Sequence, residues 1–106
     1  MMQGNTLAIK TITFGTSKTW SAVAAVTARE QTVTVPGLRV GDVVLKVVKP
    51  TKQNDLAVVG ARVSAADTLS VDFINPSAGG ITPTAGEEYK LVFLRHEASP
   101  VTHANT

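Results

Sequence analysis

The run Thr32-Val33-Thr34-Val35-Pro36-Gly37-Leu38-Arg39-Val40-Gly41-Asp42-Val43-Val44-Leu45 constrains the fold more than any other stretch of the chain. Thr and Val alternate first, a period of two built from β-branched residues, which predicts a strand. Pro36-Gly37 then fits the two central positions of a type II turn: proline fixes φ near −65° and glycine supplies a positive φ. Gly41-Asp42 marks a second turn, and an apolar run follows. Strand, turn, short link, turn, strand is the grammar of a small all-β domain, and nothing in the run is chemically reactive.

The rest of the chain fits that class. With 106 residues, one domain is expected. A chain of this size buries roughly 60–70% of its unfolded surface, so the core is thin. One Trp, one Tyr and three Phe supply few large side chains to it. There is no cysteine, which excludes disulfides, thiolate metal sites and Cys nucleophiles. No apolar run approaches the ~18 residues of a membrane-spanning helix, and Met1–Thr6 show no basic segment leading into an apolar one. No membrane partner and no signal peptide are therefore expected, and assembly in a cytoplasm is.

Strands are predicted at Leu7–Phe14, Thr32–Val35, Val43–Lys49, Leu56–Val63, Thr68–Asn75 and Tyr89–Arg95. In Thr68–Asn75, Leu69, Val71 and Phe73 share one face, and Ser70 and Asp72 the other, as in an antiparallel strand with one wet side. Val43–Val48, apolar except for Lys46, reads as a more central strand. Thr19–Gln31 reads as an irregular covering segment with Trp20 buried. One or two helical turns are the alternative there, because Trp20, Val23, Ala24 and Ala28 have helical spacing. Asp67 suits the tight connection before Thr68. The loop from Asn75 to Gly86 is long for a compact domain, and such loops are usually functional or ordered by a partner. Asn75, Pro76, Gly79, Gly80, Ile81 and Pro83 are thus the candidate interface. The expected architecture is a small antiparallel β-sandwich or jelly-roll-like barrel over residues 7–96, with flexible arms at 1–6 and 97–106.

Reactive constellations are weak. His96 and His103 lie in or near the C-terminal tail without the spacing of a metal site, which needs three or four ligands. Ser64, Ser70 and Ser77 lack a nucleophile-elbow context. Glu87 and Glu88 are neighbours, so on a strand they face opposite ways. Asp67 and Asp72 resemble a carboxylate dyad, but turn formation explains Asp67 better. No enzyme activity, metal or cofactor is expected. Net charge is only +2, although residues 1–53 carry +5 and residues 54–106 carry −3. Strand mixing in space erases such a split; a surviving split would give basic and acidic faces for an assembly. Lys46, Lys49 and Lys52 are not interleaved with aromatics, so no nucleic-acid partner is expected.

Three segments together resemble small β-rich virion proteins of tailed bacteriophages. They are TVTVPGLRVGDVVL (Thr32–Leu45), GARVSAADTLSVDFINPSAGGI (Gly60–Ile81) and the closing EYKLVFL (Glu88–Leu94). The resemblance spans about two-thirds of the chain, and the region before Thr32 lies outside it. In the closing strand, where related chains often carry Trp, this one has Tyr89. The resemblance implies a capsid decoration (cement) or head-fibre role with no catalytic residues. The implied partners are the major capsid protein and further copies of the chain, as a dimer or trimer, on the capsid surface of the virion. A carbohydrate- or receptor-binding module of a tail or fibre is the alternative, with Trp20 and Tyr89 as its only candidate stacking aromatics.

Overall fold

The computed structural model describes residues 7–96. Six strands follow one another: β1 (Leu7–Phe14), β2 (Thr27–Thr34), β3 (Val43–Val48), β4 (Ala57–Ala65), β5 (Thr68–Asn75) and β6 (Tyr89–His96). They form two three-stranded antiparallel sheets, ordered β1-β6-β3 and β2-β5-β4. The chain is a small β-sandwich. Only β4 and β5 are joined within one sheet, by the two-residue turn Ala66-Asp67; every other connection crosses between the sheets. The expected arms at 1–6 and 97–106 lie outside the described residues.

Alternation places the core. Leu69, Val71 and Phe73 of β5 and Tyr89, Leu91 and Phe93 of β6 point inward from the two central strands, and all are buried. Trp20 comes from the β1–β2 connection and joins the two sheets. Its ring meets Phe73 edge-on with centroids 5.1 Å apart, and Tyr89 at 5.5 Å. Tyr89 in turn stacks tilted on Phe14 at 5.3 Å. Aromatic pairs in this range add stabilisation beyond their buried area. Trp20 is buried as expected, and the segment around it is irregular rather than helical.

Three expectations are corrected. First, β2 begins at Thr27, five residues before the predicted Thr32. Arg29 and Gln31 occupy inward-facing positions opposite Phe73 and Val71, so polar residues stand where alternation calls for apolar ones. Second, β3 is an edge strand rather than a central one. A bulge between Val44 and Lys46 interrupts its register, and Val43 and Leu45 remain about half exposed. Third, Ser70 lies on the outer face of β5, yet it is buried. Its neighbours across the sheet are Thr32 and Arg62, and its hydroxyl donates to Ser64 Oγ at 2.8 Å. The Arg62–Glu30 ion pair reaches from β4 to β2 over the same strand.

Candidate interaction surface

The five residues expected to form turns converge at one end of the sandwich. Gly37 has φ +99° and Leu38 N donates to Val35 O at 3.3 Å, closing the turn over Pro36-Gly37. Gly41 has φ +102° and Asp42 N donates to Arg39 O at 3.0 Å, closing the second turn. Asp67, itself left-handed at φ +57°, docks on the first turn. Its Oδ1 accepts from Gly37 N at 2.8 Å, its carbonyl from Val35 N at 2.8 Å, and its N–H donates to Leu38 O at 2.9 Å.

Arg95, at the end of β6, ties this end together. Its Nε and Nη2 donate to Asp42 at 2.9 and 2.6 Å, and Nη2 also donates to Gly37 O at 2.7 Å. Asp42 accepts a further bond from Arg39 N at 2.9 Å, and only 3% of its side chain is exposed. The Arg95 hydrogen bonds hold the Asp42 carboxyl below its ordinary range, against the opposing effect of burial. A residue read as a turn marker is therefore the buried anchor of the β2–β3 crossing.

The long loop is held from inside the chain. Asn75 is fully buried: its Nδ2 donates to Val23 O at 2.9 Å and Gly79 O at 2.8 Å. Its Oδ1 accepts from Ser77 N at 2.9 Å and Ser77 Oγ at 2.7 Å. Val23 and Ile81 exchange backbone bonds of 2.7 and 3.0 Å. Gln53 donates to Thr82 O at 3.0 Å and accepts from Thr84 N at 2.9 Å. Of the candidate interface residues, Asn75 and Pro83 are buried and Ile81 is half-buried, whereas Pro76, Gly79 and Gly80 are exposed. The chain itself therefore supplies hydrogen bonds that hold this segment.

Charge does not separate by chain half. Lys49 pairs with Glu87 at 2.8 Å, Arg62 with Glu30 at 2.9 Å and Arg95 with Asp42 at 2.6 Å, each joining a residue before position 54 to one after it. Lys49 is nearly buried in its pair, which removes it from any basic patch with Lys46 and Lys52. Burial pushes the Glu87 carboxyl up, but hydrogen bonds from Lys49 and Thr51 outweigh it and leave the carboxyl below its ordinary range. Among the described residues, no group of His, Asp and Glu side chains is placed to hold a metal, and no helix is long and apolar enough to cross a membrane.

The two outer faces of the sandwich differ in kind. On the β2-β5-β4 sheet, the rows across the strands are Thr34–Thr68–Ala65, Thr32–Ser70–Arg62, Glu30–Asp72–Gly60 and Ala28–Ile74–Ala57, hydroxyl-rich and charged in the middle and apolar only in the last. On the β1-β6-β3 sheet, Ile9, Leu94 and Val43 lie in one row across all three strands. Leu7, Ile9, Val43 and Leu45 there are 54%, 71%, 53% and 52% exposed, and Val48 is partly so. The charged groups in these rows are Lys46 and Lys90, and no carboxylate accompanies them. Leu45 also borders a groove of about 350 Å³ between β3 and β4, facing Val59 at the β4 bulge. Sequence reading missed this face because it placed β3 inside the sheet. Compared with protein-family models, curated proteins and solved structures, the chain matches none.

Proposed function

We propose that this chain is a non-enzymatic structural protein of a bacteriophage virion that docks on the outside of the capsid shell and stabilises the head. The observation that carries the reading is the exposed apolar outer face of the β1-β6-β3 sheet, set against a polar outer face on the other sheet. An antiparallel sheet that faces water is normally polar on that side, so a cluster of exposed apolar side chains there marks a contact surface. The resemblance of Thr32–Leu45, Gly60–Ile81 and Glu88–Leu94 to tailed-phage virion proteins supplies the setting. The mechanism is shape and area: each copy covers apolar surface on the shell, and repetition over the lattice multiplies a modest contact. The cationic groups on this face favour an acidic rim on the capsid protein. The sugar-binding alternative loses its support, because Trp20 and Tyr89 are both buried in the core.

The test is to mix the protein with undecorated shells and with virions, and to measure copies bound per major capsid protein. Stoichiometric, saturable binding that stiffens the shell is expected, and Ile9→Glu or Val43→Glu weakens it without unfolding the domain. Absence of binding by the wild type, or full binding by both variants, overturns the reading.

A further inference from the structure

The sandwich has four sheet edges, and three of them are blocked. Along β2, the segment after Trp20 is fastened by side chains: Gln31 accepts from Ser21 N at 2.7 Å and donates to Ser21 O at 2.8 Å, and Arg29 donates to Ala22 O at 3.0 Å. The edge strands β3 and β4 lie against each other, and each is broken by a bulge. The fourth edge is β1. It runs eight residues in unbroken register with β6, has no proline or glycine, and pairs with no other strand among the described residues. Its outward-facing Leu7, Ile9, Thr11 and Thr13 are exposed and uncharged. The one charge on the strand, Lys10, stands on its inner side in register with Phe93, so the outer side carries none; a long, flat edge without bulge or proline is a template for another strand.

From this we infer that β1 pairs antiparallel with the β1 of a second copy, joining two three-stranded sheets into one of six. Self-complementarity names the occupant. A two-fold axis perpendicular to the sheet keeps both outer faces on the same side and sets residues of equal parity opposite each other. Two such registers overlap over seven residues. One centres on Lys10 and sets two like charges face to face, which is destabilising. The other centres on Thr11. It places Thr11 opposite Thr11, Ile9 opposite Thr13, and Lys10 opposite Ile12, so each lysine stem lies beside an aliphatic side chain. The two outer faces then lie on the same side, with each Ile9 beside the Thr13 of the other copy across the seam. The pairing does not depend on what that face docks on, and it holds equally if the capsid reading fails.

The chain contains no cysteine, so one introduced thiol reports one contact. Under mild oxidation Thr11→Cys should give a disulfide-linked dimer. Thr13→Cys should remain monomeric, because the register puts the two Thr13 positions about 13 Å apart along the strands, beyond disulfide reach. Sedimentation of the wild-type full chain should show a concentration-dependent dimer, and Thr11→Lys should abolish it with an unchanged thermal melt. A wild type that is monomeric at every concentration overturns the inference. So does equal cross-linking of the two cysteine variants, which would mark random collision or another register.

Discussion

Replacing Asn75 with Ala tests whether the segment from Pro76 to Gly86 is held by the chain itself. The amide makes four hydrogen bonds in a fully buried site: two donated to Val23 O and Gly79 O, two accepted from Ser77. At about 1 kcal/mol each, their sum is about 4 kcal/mol. Two carbonyls keep another donor, however. Val23 O still accepts from Ile81 N at 3.0 Å, and the Ser77 hydroxyl, whose one proton is released from Asn75 Oδ1, turns to Gly79 O at 2.9 Å. The expected loss is therefore about 3 kcal/mol, most of it from Ser77 N losing its acceptor and from the void left by the amide. For a domain of this size that lowers Tm by about 12–24 °C. Urea melts give the free energy, and amide exchange locates it: Ser77 and Ile81 should lose protection while the β5–β6 core keeps its own. A change under about 1 kcal/mol, with Ile81 exchange unaltered, would refute the internal pinning and return the segment to a partner.

Gly37→Val should cost about 1–3 kcal/mol; the space around a Cβ there is open, so the whole penalty is the left-handed backbone, and a change of a few tenths in a denaturant melt would contradict the turn. Phe73→Ala should cost about 3–5 kcal/mol and Ser70→Ala about 1 kcal/mol, through the lost Ser64 bond, by the same melts. Acid unfolding should begin as Asp42 and Glu87 protonate. Both are lowered from ordinary values of 3.8 and 4.5, so the folded state binds fewer protons, and stability present above those values is lost as pH falls through the lowered ones. At the alkaline end, burial and the nearby Glu87 charge push the Tyr89 phenol from 10.0 up to about 12. The folded state then holds the extra proton, and stability falls as pH rises from 10.0 through about 12; tyrosinate absorbance read against the unfolding curve checks it.

Local signals carried the fold class. Proline with glycine at Pro36-Gly37 names its turn without help from the rest of the chain, and the Leu69–Val71–Phe73 alternation names the inner face of β5. Both depend on neighbours in sequence alone. What failed depends on distant partners. The first half of β2 has Arg29 and Gln31 facing inward, because their side chains substitute for a neighbouring strand by bonding Ser21 and Ala22. Hydrophobic periodicity has no way to register that. The apolar run of β3 reads the same in a buried strand as in an exposed edge; only the pairing order and the Leu45 bulge distinguish them. The order of the long loop rests on Asn75 reaching Val23, fifty-two residues away. Asp42 was recognised as a turn residue, but its union with Arg95 across fifty-three residues was not legible.

The same distinction explains why the apolar face matters. Polar side chains here fasten the connections: Asn75, Gln53 and Gln31 hold loops, and Arg95 holds the β2–β3 crossing. They hold connections of the sandwich, and the two outer sheet faces are left to meet solvent or partners. The β2-β5-β4 face is built for solvent, with hydroxyls and the Arg62–Glu30 bridge across its middle strand. The β1-β6-β3 face has Ile9, Leu94 and Val43 in the equivalent place, and its outer strand β1 pairs with β6 alone among the described residues. A dimer through β1 leaves that face uncovered and doubles it. Docking through the face leaves the β1 edge free. The two surfaces are therefore compatible, and an array in which paired copies lie flat on a larger shell satisfies both at once. Losing the β1 pairing should then weaken shell binding by removing the second foothold, whereas Val43→Glu, on the far strand β3, should weaken it even for the isolated copy.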